Sequence, residues 1–445
     1  MATAPLRAWR GAEVPWSFDT DDELQARLDW ARDFVREEVW SLESVEQEMT
    51  EADFLAELRR LQSIVKERGM WAAHLPSEHG GAGWPQVDLA LLHEVIGSSI
   101  WWGPIVFGNQ APDSGNAELL ALFGNPQQRR RWLVPLAAGD IRSAFSMTES
   151  LTAGSDPTLL ATTARRDGDD WLIEGEKWFT TNGMIADLLI VMAVTDPDAE
   201  PHRRASMFLV PAGTPGVKRL RNVESLERPA PFGYGHAQLR YDGVRVGPEA
   251  LLGEPGSAFA MAQARLGPGR IHHCMRWLGQ SQRAFDILCE RAQQRHAFGG
   301  PLVDHQTVTN WIADSAAEMH AARLMTLHAA WIVDRHGARA ARQEISMIKF
   351  WGTQVMINVI DRAIQVCGAL GYSSDLPLEA MFRWARAARL YDGVDEVHRN
   401  SVAKLVLRSH PLPDGPFPSD HLPTRRTQAR IKYGLPAQGD SLADR

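Results

Sequence analysis

Apolar positions along residues 20–140 recur every three to four residues. In DELQARLDWARDFVREEV the spacing of Leu24, Leu28, Ala31 and Val35 predicts an amphipathic helix. DFLAELRRLQSIVKERG repeats the pattern with Phe54, Leu58, Leu61 and Val65, and Gly69 stops it. PSEHGGAGWP reads as a loop from its Gly and Pro content, and the helical period returns in VDLALLHEVIGSS. Near Ala144 the texture changes. LLATTARRDGDDWLIEGEKWF reads as strand, Asp-Gly turn, strand, and DLLIVMAV, SMFLVPAG and HAQLRYDGVRV are further β runs split by Gly and Pro. They predict an antiparallel sheet as far as Gly256. Helical periodicity then resumes from Ser257 to Arg408, with GG and GALGY as punctuation. The closing stretch, from HPLPDGPFPSDHLPT onward, is Pro-rich and polar and reads as an extended tail. The expected organisation is therefore a helical domain over 1–140, a β domain over 141–256, a helical bundle over 257–410 and a tail over 411–445.

Composition narrows the function classes. With 44% hydrophobic residues, the 445-residue chain can bury a large core, and its length suits about two to four domains or sub-domains. A formal net charge of -8 argues against a broad nucleic-acid surface. No long uninterrupted apolar run suggests a membrane span. The N-terminal MATAPLRAWRGAEVPW lacks the apolar core of a secretory signal and is too short and Pro-broken for a transit peptide. The three cysteines, Cys274, Cys289 and Cys367, have no CxxC spacing and fit a reducing compartment. Cytoplasm is the expected location, or the mitochondrial matrix if the chain is eukaryotic.

Candidate chemistry is sparse at first. No GxGxxG follows a strand, so a Rossmann nucleotide site is not indicated. In ARLYDGVDEVHRN, Asp392 precedes a glycine, and the plain reading is a turn or helix-capping aspartate. Asp392, Asp395 and Glu396 have no complementary cluster that would make a cation site. His272 and His273 are adjacent on a helix and point about 100° apart, so they read as core or pocket lining and no metal is expected.

Six segments, in order, change this picture. The chain resembles the acyl-CoA dehydrogenase family over about residues 20–410. GMWAAHLPSEHGGAG is similar to the loop closing that family's first helical domain, and FSMTESLTAGSDP to its flavin-binding signature. KWFTTNG resembles the segment against the isoalloxazine, and RHAFGGPLVDHQ the segment that reaches a neighbouring subunit's FAD. QVCGALGY resembles a Gln-x-x-Gly-Gly-x-Gly motif, with Ala369 in place of the second Gly, and YDGVDEVHR falls where the family places its catalytic carboxylate. NQAPDSGNAELLALFG, RLGPGRIHHCMR and DGVDEVHRN are similar to long-chain members that carry Asp in place of the usual Glu.

The resemblance implies a mainly α fold with a central β domain: an N-terminal helical domain, a small antiparallel β-barrel and a C-terminal four-helix bundle. It implies FAD as cofactor and an acyl-CoA substrate. Asp392 would be the base for the α proton, its own N–H would polarise the thioester, and Gly393 would allow close backbone approach. Burial would raise the proton affinity of Asp392. Thr148 and Thr181 would bond the flavin, Phe179 would lie against its ring, and Ser155 would sit near the pyrophosphate and the CoA. One residue is inserted between Glu149 and Ala153, and Ser150 replaces a Pro, so this loop departs from the family pattern. Arg295, Phe298, Gln306, Gln365 and Gly368 would surround FAD across a dimer interface, with Arg295 on phosphate. Arg270 would lie behind the acyl pocket, whose tunnel Trp101, Trp102 and Phe107 precede. Implied partners are an electron-transfer flavoprotein or similar acceptor and a second copy, as homodimer or homotetramer. A nitroalkane-oxidase-like activity and a non-catalytic subunit of the same fold are the alternatives.

Overall fold

In the computed structural model, residues 20–226, 231–410, 412–413 and 415–435 are described. The N-terminal reading above lies outside them. Contacts gather residues 17–400 into one compact unit.

Its first part is helical because the apolar spacing permits a buried stripe. Asp22–Phe34 starts where the Asp21 carboxylate accepts from the Leu24 N–H (2.7 Å) and buries Leu28 and Ala31. Glu51–Glu67 is capped by Thr50 and buries Phe54, Leu58, Leu61 and Val65. The next helix, Gln86–Ile96, has no cap of its own. The Asp334 carboxylate, distant in sequence, accepts from the N–H groups of Gln86 (2.7 Å) and Val87 (3.0 Å).

Eight strands follow: β1 Ser143–Ser146, β2 Thr163–Asp167, β3 Asp170–Thr181, β4 Leu188–Val194, β5 Ala205–Pro211, β6 Val217–Asn222, β7 His236–Val246 and β8 Leu251–Leu252. They run β6-β7-β3-β2-β4-β5-β8, with β1 joined to β4. The expected Asp-Gly hairpin is the β2–β3 turn, closed by Asp167 opposite Asp170. Pairing is antiparallel except at two places: β1 lies parallel to β4, and Thr163 pairs parallel with Val194. Ser143–Ser146 is too short and its partner too distant for alternation to reveal direction. β6, VKRLRN, escaped the reading because it is an exposed strand with few apolar residues. β4 is buried on both faces: Leu188, Ile190 and Met192 join the helical core, while Leu189, Val191 and Ala193 join a separate core with Trp171, Phe208 and Tyr241.

The bundle comprises Ala258–Gln294, Gln306–His336, Arg342–Cys367 and Leu378–Ala388, followed by Asp395–Arg408. Ala258–Gln294 crosses Gln86–Ile96 at glycines. A Cβ on Gly279 would lie 2.1 Å from the Glu94 carbonyl oxygen, and one on Gly97 would lie 2.3 Å from the Arg276 Cα. This approach brings the polar side chains of both helices together.

The tail is not simply extended. Leu422–Lys432 is a helix, with Pro423 in its first turn, where a missing N–H costs nothing. TRRTQARIK then supplies adequate helix formers. No helix among the described residues is long and apolar enough to cross a membrane.

Candidate active site

Asp392 sits in the turn between Leu378–Ala388 and Asp395–Arg408. Its φ is 55°, in the left-handed region that few non-glycine residues occupy. Its carbonyl oxygen is held from two sides, accepting from Arg270 Nε (2.9 Å) and His398 Nε2 (3.2 Å). Gly393, at φ 99°, makes room for this grip, since a Cβ there would lie 2.7 Å from His398 Nε2. The carboxylate does not cap the following helix. Its Oδ2 lies 3.2 Å from His273 Nε2, and the side chain keeps 22% of its surface exposed. Oδ1 and the Asp392 N–H engage no group among the described residues. Asp395 is a different kind of residue: it is buried against Arg389 (2.7 Å) and braces the turn.

Positive charge surrounds this carboxylate. Burial alone would raise its proton affinity, as expected from sequence. The His273 hydrogen bond and the guanidinium groups of Arg270 and Arg265 outweigh burial and hold the carboxyl well below the usual range. The expected upward shift is thus reversed. Burial, reinforced by Arg276 and opposed by Asp392, pushes His273 down to about 4, so it is neutral at neutral pH. Burial also draws Arg276 down to about 10, against the pull of Tyr391 and Asp392. Arg265, buried, stacks its guanidinium 4.4 Å over Phe145 on β1.

Aromatic rings flank the turn. Trp277 Nε1 donates to the Tyr391 hydroxyl (2.9 Å), and Trp384 lies 6.4 Å from Tyr391 and 4.5 Å from Trp101. Trp101 therefore belongs to this wall. Trp102 and Phe107 do not: both are buried in the N-terminal core, where Trp102 meets Glu46 and Phe107 meets Phe34.

The sequence-predicted FAD residues fall into two further groups. In the first, Thr148 exchanges bonds with Trp178: its hydroxyl donates to the Trp178 carbonyl (2.8 Å), and the Trp178 N–H donates to the Thr148 carbonyl (3.0 Å). Phe179 is not core packing: at φ 48° it is 41% exposed, 4.9 Å from Trp178 and 5.4 Å from His236. The Thr181 hydroxyl pairs with His236 Nδ1 (3.0 Å). Ser155 is exposed on the loop. The inserted residue does not unmoor that loop, because buried Glu149 accepts from the N–H groups of Ala161 and Thr162 and from Lys177 Nζ (2.8 Å). In the second group, Arg295 lies against Gly368 and donates from Nη1 to the Val366 carbonyl (2.9 Å). Phe298, at φ 52° in the turn before Gly299, is 99% exposed. Gln306, at the start of its helix, and Gln365 are both exposed. Among the described residues, no side-chain hydrogen bond joins these two groups to Asp392; Arg265 lies over Phe145 and interacts with the carboxylate.

These residues fit FAD. Two exposed aromatic rings, Phe179 and Phe298, offer stacking surface that no core uses. Thr148, Thr181 and Ser155 offer hydroxyls, and Arg295 offers a guanidinium suited to phosphate. Sequence reading missed His273, Arg276 and Arg265 as parts of the site. The available signal was the helical spacing of Arg270, His273 and Arg276, three residues apart and so neighbours on one surface of the helix.

Family models for the acyl-CoA dehydrogenase N-terminal, middle and C-terminal domains match residues 21–140, 144–235 and 256–407. The probable acyl-CoA dehydrogenase FadE2 of Mycobacterium tuberculosis is 46% identical over 79% of this chain and 85% of its own length. Acyl-CoA dehydrogenase family member 10 of Mus musculus is 41% identical over 84% of this chain, which spans only 36% of that protein. A solved structure from Mycobacterium abscessus, assigned as an acyl-CoA dehydrogenase, is 38% identical, covers 88% of this chain and 100% of its own, and superposes with a TM-score of 0.83. The chain belongs to the acyl-CoA dehydrogenase family, whose members are FAD-dependent flavoproteins.

Proposed function

We propose that the chain dehydrogenates an acyl-CoA thioester to the trans-2-enoyl-CoA, with Asp392 as the base. The observation that carries this reading is the Asp392 turn: a pinned carbonyl, a free N–H, and a carboxylate with one oxygen open. The Asp392 N–H donates to the thioester oxygen, stabilising negative charge as the α C–H bond breaks. The α proton passes to Oδ1. Arg270 and His398 fix the Asp392 peptide, so the donor does not reorganise during the reaction. The aromatic wall of Trp101, Trp384 and Tyr391 lines the acyl side and limits water. Bound FAD supplies the hydride acceptor for the β carbon.

Thr148, Thr181 and Phe179 hold the flavin end, Ser155 sits near the pyrophosphate and the CoA, and Arg295, Phe298, Gln306, Gln365 and Gly368 hold the adenosine-pyrophosphate half. The outward-facing Phe298 supports contact with a second copy, as homodimer or homotetramer. An electron-transfer flavoprotein or similar carrier removes the electrons, and the cytoplasm or mitochondrial matrix is the site of action. The test is anaerobic titration of the purified protein with short-, medium- and long-chain acyl-CoAs and with nitroethane. Flavin bleaching by at least one acyl-CoA and not by nitroethane is expected; the reverse pattern, or bleaching by neither, contradicts the proposal.

A further inference from the structure

His273 is tied on both ring nitrogens, and the two bonds are not interchangeable. Arg276 Nη2 lies 2.8 Å from His273 Nδ1. A guanidinium has only donors, so Nδ1 must be the acceptor and the ring proton must sit on Nε2. That N–H then donates to Asp392 Oδ2 at 3.2 Å. Arg276 is itself fixed, its Nη1 lying 3.1 Å from His93 Nδ1, and the His93 ring stacks 4.3 Å from that of His272. Gly97 and Gly279 permit the helix crossing that makes this chain of contacts possible. Arg276 donates in two directions, to His93 and to His273: it sets the tautomer of His273, and His273 sets the orientation of Asp392.

We propose that His273, locked in its Nε2–H tautomer by Arg276, is a positioning residue that occupies Asp392 Oδ2 and so makes Oδ1 the proton-accepting atom. This rests on the reading of Asp392 as the base. In the proton step the α C–H bond breaks, its proton goes to Oδ1, and its electron pair remains with the thioester as an enolate. In water containing deuterium the reverse step returns a deuteron to the α carbon, with no net oxidation. The charged and titratable groups facing His273 are Asp392 and Tyr391 from the turn, Arg276 and His272 from its own helix, Lys349 from Arg342–Cys367, and His93 from Gln86–Ile96. Among them only Asp392 accepts from His273 Nε2. Losing this donor removes an interaction that favours the ionised carboxylate, so the affinity of Asp392 for a proton rises and the acid limb of the rate moves to higher pH.

The experiment compares His273→Leu, His273→Gln and Asp392→Asn holoenzymes with wild type. The substrate is the acyl-CoA that reduces wild type fastest. The readouts are α-hydrogen exchange in deuterated water by mass spectrometry, flavin reduction at saturating substrate against pH, and affinity for a thioether CoA analogue lacking the carbonyl. The leucine variant should keep analogue affinity within about threefold, lose about tenfold or more in exchange, and show an acid limb about one pH unit higher. The glutamine variant presents an N–H at similar reach and should recover most of the rate and the original limb. Unchanged exchange and limb in the leucine variant, or equal impairment of both variants, overturns the proposal. Should the leucine variant fail to fold, the glutamine variant decides: near-wild-type exchange and limb support the role, and a tenfold loss overturns it. Unchanged exchange in Asp392→Asn instead overturns the base assignment beneath it, whatever the His273 variants do.

Discussion

Replacing Lys177 with Met should strand a buried carboxylate in the loop that carries Thr148 and Ser155. The Lys177 side chain is 0% exposed and that of Glu149 5%. The ammonium donates to Glu149 Oε1 and to the Met147 carbonyl, both at 2.8 Å. Burial pulls Lys177 down to about 8, against the attraction of Glu149, which leaves it mostly charged at pH 7. Methionine fills similar volume but supplies no charge and no donor. Glu149 would keep two backbone bonds, from the Ala161 and Thr162 N–H groups, and a long one from the Thr152 hydroxyl (3.5 Å), so desolvation is partly met. Breaking a buried pair on one side costs about 3–5 kcal/mol, and the surviving bonds place this case near 3. Urea denaturation followed by tryptophan fluorescence reads the loss, since Trp171 and Trp178 lie on the same strand as Lys177. FAD content after gel filtration should fall in parallel, because the loop is anchored by this pair. Adding Glu149→Gln to the variant removes the stranded charge and should recover part of the stability. A single variant within about 1 kcal/mol of wild type, or a double variant no better than the single, would contradict a stranded charge at Glu149.

Acid should destabilise the fold well before its carboxylates titrate. Burial lowers His74, His273 and His398 to about 4 and His93 and His272 well below 6.5, so the unfolded chain binds more protons below that value. Their stabilisation is complete above pH 6.5 and is lost as pH falls from 6.5 towards 4, by about 1.4 kcal/mol per pH unit for each histidine. Glu118, raised to about 7 by burial against the pull of Arg265, acts in the opposite sense between 4.5 and 7; burial also raises Glu94, Glu344, Asp88 and Asp113, which act with Glu118, and lowers His328, which acts with the other histidines. Urea midpoints from pH 7.5 to 5 should therefore fall, and a flat profile contradicts the buried-neutral histidines. Gly279→Ala places a Cβ 2.1 Å from the Glu94 carbonyl oxygen and should cost about 1–3 kcal/mol, whereas Gly269→Ala, with open space around it, should be neutral or stabilising in the same denaturation assay.

Much of the fold was legible because local rules and tertiary packing agree. Phe54, Leu58, Leu61 and Val65 predict a helix face and form one, and the Asp-Gly hairpin closes where Asp167 and Asp170 meet. What escaped depends on partners far away in sequence. The cap on Gln86–Ile96 comes from Asp334, the direction of β1 from β4, and exposed β6 from pairing with β7. At the site, motif resemblance named Asp392, and the structure adds the backbone grip of Arg270 and His398 and the reversal of its expected proton affinity. His273 read as lining because its two bonds reach a turn beyond residue 390 and a guanidinium one helical turn on. Trp102 and Phe107, which precede the expected acyl tunnel, are core residues instead, because aromatic content alone does not distinguish a pocket wall from a core.

The proposed function turns on Asp392 as the acceptor of the α proton. Asp392→Asn keeps the backbone N–H, the carbonyl bound by Arg270 and His398, and a side-chain oxygen facing His273. It removes only the basic carboxylate. Asp395 cannot substitute, being buried and paired with Arg389. Stopped-flow flavin bleaching, using an acyl-CoA shown to reduce wild type, should find FAD and acyl-CoA bound normally and reduction slowed by about 10²–10⁴-fold, near the upper end. A variant that binds the same acyl-CoA and bleaches within about tenfold of wild type would contradict the claim and leave Asp392 an ordinary turn aspartate.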